Sequence, residues 1–128
     1  MSLRDAINDV MEFHEKFGIP IRMSPEIPPP VERQLRYDLE DEEHDELWEA
    51  WKDDNLVEIA DALADKIYIA IGTALSYGIP LGDVWDEVHR SNMAKEGGGK
   101  RGDGKIQKPK GWVPPDVKGC LVRYGFTD

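Results

Sequence analysis

The sequence predicts an all-α fold: a four-helix bundle-like core followed by an irregular, basic C-terminal arm, with the helices packing in an oligomer. Three observations predict it. Four segments carry apolar residues at helical spacing. Cap residues, glycine or proline stand at the ends of those segments. Two acidic clusters have spacings that gather carboxylates on one side of a helix but not on one face of a strand. With 128 residues, the chain fits a single domain with a real core, divided into a helical body over 1–95 and a Gly/Lys/Pro-rich arm and tail over 96–128.

The first helix is expected from Leu3 to Phe17. Ser2 with Asp5 has the form of a capping box, and Gly18 is a stop. Its stripe is Leu3, Ile7, Val10, Met11 and His14, and His14 reads as a packing residue rather than a ligand. Residues 18–30 form a proline-rich connection ending in Pro28, Pro29 and Pro30, the last suited to a first helical position. The second helix runs from about Val31 to Lys52, with an apolar stripe begun by Leu35 and Leu39 and extended by Ala50; Trp48 and Trp51 lie away from the arc of Glu42, Glu43 and Glu46.

Asp53, Asp54 and Asn55 make a short turn of cap-forming residues. The third helix runs from Leu56 to Tyr77 and stops at Gly78. From Ile67 onward it is apolar nearly all round, which makes it a central helix. A chain this short has little material to cover it, so a homodimer or homotetramer packed through helices is expected. Pro80 and Asp83 open a fourth helix, reaching about Lys95, with Val84, Trp85 and Val88 on its apolar side. Beyond it, glycines alternate with basic residues, prolines follow, and a short element is expected near Leu121.

Net charge is −10, unevenly spread. Residues 1–94 hold 8 basic against 22 acidic side chains, whereas residues 95–110 are net +4. An acidic body with a basic arm suits a metal site with phosphate contacts and argues against duplex nucleic acid, which needs an extended basic face. Cys120 is the only cysteine, so no intrachain disulfide forms. A cytoplasmic location is therefore expected, with no secretory signal at the N-terminus, where charge breaks the apolar pattern from Arg4. The most apolar stretch, Ile67 to Leu81, is broken by Gly72, Ser76, Gly78 and Pro80; no membrane partner is expected.

The acidic clusters carry the chemistry. Glu42, Glu43 and Glu46 read E-E-x-x-E; Glu58 and Asp61 read E-x-x-D, with Asp65 one further turn on. On a helix the first three fall at roughly 0°, 100° and 40°, and Glu58, Asp61 and Asp65 at roughly 0°, −60° and −20°. Both sets interrupt apolar faces. Like charges gathered this way repel, and carboxylates in a core-facing stripe are costly unless paired or metal-bound. Two readings remain at this level: solvated acidic faces, or a site for a hard divalent cation with oxygen ligands.

The pattern Glu43–Glu46, then Glu58–Asp61, with Glu42 doubling the first glutamate, resembles the all-α nucleoside triphosphate pyrophosphatase superfamily, the MazG-like and dimeric dUTPase-like enzymes. The stretch EIADALADKIYIAIGTA resembles that family's third helix. VHRSNMAK, from Val88 to Lys95, resembles the end of its fourth helix, which supplies nucleotide contacts in relatives. The resemblance covers about residues 31–110.

It implies a Mg²⁺-dependent enzyme, with Mn²⁺ as a possible substitute, that hydrolyses a nucleoside triphosphate between the α- and β-phosphates to a monophosphate and pyrophosphate. Glu42, Glu43, Glu46, Glu58 and Asp61 are then the metal set, and Glu43 is the candidate general base. Asn92, Lys95, Lys100, Arg101 and Lys105 are the candidate substrate-binding residues. Asp65 is open to two readings, a group supporting the ligands or an ordinary polar position. Phosphoribosyl-ATP pyrophosphohydrolase, which shares the fold, is a close alternative. A non-catalytic acidic protein that occupies a basic partner is a distant one, though it leaves the interrupted stripes unexplained.

Overall fold

A computed structural model describes residues 1–127. Among them are five helices: α1 (Leu3–Phe17), α2 (Pro30–Lys52), α3 (Leu56–Tyr77), α4 (Leu81–Met93) and α5 (Val117–Val122). The all-helical class and the helix boundaries follow the sequence closely, and α5 is the short element expected near Leu121. The chain forms two compact units, Met1–Ile79 and Pro80–Asp128. No single described helix is long and apolar enough to cross a membrane.

In the first unit, the Ser2 hydroxyl accepts from the Asp5 N–H at 3.1 Å, and the Asp5 carboxylate accepts from the Ser2 N–H at 2.8 Å. This reciprocal pair satisfies donors that a helix start leaves free. Gly18 and Gly78 end α1 and α3 in the left-handed conformation, at φ 67° and 70°, where other residues are strained. The proline-rich connection is tied down along the end of α3. The Arg22 N–H donates to the Leu75 carbonyl and the Glu26 N–H to the Tyr77 carbonyl, both at 2.9 Å. The Arg22 guanidinium pairs with Glu26 and Glu32 and donates to the Ser76 carbonyl.

The turn between α2 and α3 is short, and Asn55 caps α3 by accepting from the Glu58 N–H at 3.1 Å. Helices joined so tightly pack as antiparallel neighbours. Their seam departs from the apolar stripe expected on α2. Leu35 is 52% exposed, and its neighbour Arg36, at 4%, takes the buried position. Arg36 donates to Thr73 Oγ1 at 3.1 Å and to the Ile69 carbonyl at 2.9 Å. The α2–α3 seam is therefore largely polar, and polar groups hold their place there by bonding to one another. Ala50 and Ala62 are the small buried residues near its turn end.

On the α1 side, Val10 and His14 are buried. The imidazole Nδ1 lies 3.3 Å from the Pro20 carbonyl, so His14 is the packing residue expected. Burial and the Arg36 charge push its pKa down while the Pro20 carbonyl opposes them. From Ile67 onward α3 is only partly covered: Ile71 and Ala74 are buried, whereas Ile67 and Tyr68 are exposed; nearer its start Leu56, Val57 and Leu63 are exposed too.

The second unit packs α5 on α4. Asp116 caps α5, its carboxylate accepting from the Gly119 N–H at 3.0 Å, while its own N–H donates to Glu87 at 2.9 Å. Arg90 and that N–H hold the Glu87 carboxyl down at about 2. The arm is irregular, as the sequence predicts, and contains a tight reversal. Lys100 bridges to Ile106, the Arg101 N–H donates to the Lys105 carbonyl at 2.7 Å, and the Gln107 N–H donates to the Gly99 carbonyl at 3.0 Å. Trp112 anchors it, its indole N–H donating to the Ser91 carbonyl at 2.7 Å with the ammonium groups of Lys95 and Lys108 at 5.4 and 5.0 Å from the ring centre. The sequence does not show the reversal because it rests on glycine conformations and one long-range indole contact rather than on a periodic pattern.

Candidate active site

The acidic residues of α2 and α3 meet across the polar seam. Carboxylate oxygens of Glu43, Glu46 and Asp65 all lie within 4.8 Å of one another. Beside them is a groove of about 370 Å³ lined by Asp45, Glu46, Glu49, Glu58, Asp61 and Ala62. Glu46 belongs to both. One helical face delivers Glu58, Asp61 and Asp65 toward α2.

The electrostatics are those of carboxylates crowded together. Burial raises the Glu43 carboxyl, with further contributions from Glu46, Asp65 and Glu42, to about 7. The Asp65 carboxyl is also raised, by burial first and then by Asp61 and Glu46. Glu43 Oε2 is buried without a hydrogen-bond partner. A buried oxygen of this kind is costly, and a cation among the three carboxylates relieves both its isolation and the mutual repulsion. Several carboxylate oxygens at this separation are the donor set a hard divalent ion takes. The residues therefore fit a metal.

Of the five residues assigned as ligands from the sequence, Glu43 and Glu46 lie in the cluster, and Glu58 and Asp61 line the groove with Glu46. Glu42 is exposed, and its charge contributes to raising the Glu43 carboxyl. Asp65, left open between a supporting group and a plain polar position, is in the cluster itself. It shares the helical arc of Glu58 and Asp61, although the E-x-x-D spacing ends at Asp61. Asp45 and Glu49 were not singled out; both flank Glu46 on the same helix. Alongside the cluster, Lys66 Nζ lies 3.4 Å from His44 Nδ1, linking α3 to α2.

In the second unit, three of the candidate substrate-binding residues share one feature. Asn92, Lys95 and Lys100 line a concavity of about 510 Å³ together with Gly97 and Gly99. Arg101 is instead committed to Asp103, at 2.9 and 2.6 Å. Lys105 is exposed, and its N–H donates to Asp103 at 3.3 Å.

A search of curated proteins returns no match. A comparison with protein families does: residues 10–92 match phosphoribosyl-ATP pyrophosphohydrolase, an all-helical family of the MazG-like class. The matched span contains both acidic clusters, and the family's reaction is hydrolysis of an acid anhydride in a nucleotide. On a match that covers most of its length, this chain belongs to the phosphoribosyl-ATP pyrophosphohydrolase family.

Proposed function

We propose that the protein is a Mg²⁺-dependent pyrophosphohydrolase that cleaves a nucleoside triphosphate between its α- and β-phosphates, releasing a monophosphate and pyrophosphate. The observation that carries this reading is the convergence of Glu43, Glu46 and Asp65 across α2 and α3, within a chain of a nucleotide pyrophosphohydrolase family. Glu46, Glu58, Asp61 and Asp65 hold the metal, with Glu42 adding negative charge from outside. When bound, the divalent ion offsets the charge of the polyphosphate and polarises the attacked phosphorus. Mn²⁺ serves as a substitute.

Glu43 has two roles in this reading. One oxygen belongs to the holding set. Its other oxygen accepts the proton of the attacking water. The water oxygen bonds to the α-phosphorus, the bond from that phosphorus to the α–β bridging oxygen breaks, and pyrophosphate carries the electron pair away. Asn92, Lys95 and Lys100 make the concavity of the second unit a phosphate- or sugar-binding surface in its own right, with Arg101 and Lys105 at its margin.

A second reading concerns the substrate. The family match favours phosphoribosyl-ATP, whose triphosphate chain would be cut in the same way. The two separate in one assay: purified protein is given Mg²⁺ with a panel of plain nucleoside triphosphates and with phosphoribosyl-ATP. Turnover of plain triphosphates supports the first reading, turnover of phosphoribosyl-ATP alone supports the second, and no turnover of either by folded protein overturns both. The exposed apolar side chains of α3 (Leu56, Val57, Leu63, Ile67) support assembly as a homodimer or homotetramer. The single cysteine suits a cytoplasmic setting.

A further inference from the structure

We infer that Arg36 is a positioning residue for the metal cluster: through Thr73 and the Ile69 carbonyl it fixes the register of α2 against α3, and so sets the separation of Glu43 from Asp65. The inference rests on the metal-binding reading above.

A buried arginine is an unusual choice for a helix seam. Arg36 is 4% exposed, and burial lowers its pKa against the pull of Glu40 and Glu32. An apolar residue of similar size would fill the place with less desolvation cost. What the guanidinium adds is direction. Its planar fork has fixed donor geometry, and here two donors bind two different points on α3: Nε meets Thr73 Oγ1 at 3.1 Å, and Nη2 meets the Ile69 carbonyl at 2.9 Å. The Thr73 hydroxyl then turns its own proton to Glu40 at 3.2 Å or to the Ile69 carbonyl at 3.1 Å. A slide of one helix along the other breaks both guanidinium bonds, which an apolar contact would not resist.

The same face of each helix leads from this lock to the cluster. Arg36, Glu40 and Glu43 follow at helical i, i+4, i+7 spacing on α2, while Thr73, Ile69 and Asp65 follow at spacings of four on α3. The lock and the cluster are thus two turns apart along the same seam, about 10 Å at 1.5 Å per residue. Gly72 makes room for it. A Cβ at that position would stand 2.6 Å from Arg36 Nη2 and 3.0 Å from His14 Nε2, so the guanidinium lies against α3 only because position 72 has no side chain. Partners that orient metal ligands without touching the metal commonly change affinity by about 10–100-fold when removed.

The test is Mn²⁺ affinity, measured by calorimetry or by the free-Mn²⁺ electron paramagnetic resonance signal, on folded protein. Thr73→Val keeps the shape of the side chain and removes the hydroxyl, and Thr73→Ser restores it; Arg36→Met is the harsher companion. Val10→Ala, which thins the core on the α1 side, controls for lost stability. The inference expects Thr73→Val to weaken Mn²⁺ binding about tenfold, Thr73→Ser to stay near wild type, and Val10→Ala to lower the melting midpoint while leaving affinity unchanged. Wild-type affinity in folded Arg36→Met overturns the proposal, as does equal weakening in Val10→Ala. Failure of the wild-type protein to bind Mn²⁺ at all would instead overturn the metal reading on which it rests.

Discussion

Glu43 on α2 and Asp65 on α3 bring carboxylate oxygens to within 4.8 Å of each other, and both carboxyls are raised above their ordinary range. Burial alone would raise each. Asp65 adds to the rise of Glu43, whereas Asp61 and Glu46 add to that of Asp65, so like-charge strain is concentrated among these carboxylates.

That strain gives metal a thermal signature. Saturating Mg²⁺ or Mn²⁺ is expected to raise the melting midpoint, since a ligand at about one hundred times its dissociation constant stabilises the native state by about 2.7 kcal/mol. Asp65→Asn is expected to melt higher than wild type without metal, because repulsion is relieved, and to lose most of the metal-dependent rise. Scanning calorimetry with and without metal reads both.

The pH dependence of the metal-free protein follows from Glu43. Its carboxyl sits at about 7 in the fold against 4.5 as the ordinary value. Between those values the folded state binds more protons than the unfolded state, so stability falls as pH rises. The contribution is intact below about pH 4.5 and fully lost above about 7; the upward shift of Asp65 acts in the same direction. Urea unfolding at a series of pH values in chelator is expected to show this decline for wild type and a flatter profile for Glu43→Gln.

Catalysis depends on the carboxylates of both helices. Glu46→Gln and Asp61→Asn are each expected to cut turnover by about 100-fold or more, as loss of a few kcal/mol of transition-state stabilisation implies, with helical content preserved. Full activity in both variants would place the ligands elsewhere.

Trp112 holds the reversal of the arm through its bond to the Ser91 carbonyl and its contacts with Lys95 and Lys108. Trp112→Ala is expected to destabilise the second unit by about 2–3 kcal/mol, below the figure for a fully buried tryptophan. Faster amide exchange at Gln107 and along α4, with α1 to α3 unchanged, is the readout.

The helices were legible in the sequence because their ends are chemically marked: Ser2 and Asp5, Gly18, Pro30, Asn55 and Gly78 each leave a local signature. The acidic clusters were legible because their spacing is helical and they break apolar faces. Arg36 was not legible. Its burial depends on Gly72, Thr73 and the Ile69 carbonyl of another helix, and the local pattern favoured Leu35 for the buried position. Asp65 was half legible, since its face was readable but its distance from Glu43 depends on the register of α2 against α3. The reversal at Lys100 to Ile106 left no periodic trace.

The most direct measurement is ³¹P nuclear magnetic resonance of the products formed from a nucleoside triphosphate and from phosphoribosyl-ATP in Mg²⁺, with wild-type protein beside Glu46→Gln. The account predicts pyrophosphate and the corresponding monophosphate from at least one substrate, and almost none from the variant. Orthophosphate with a diphosphate product, or equal product from Glu46→Gln, would contradict it.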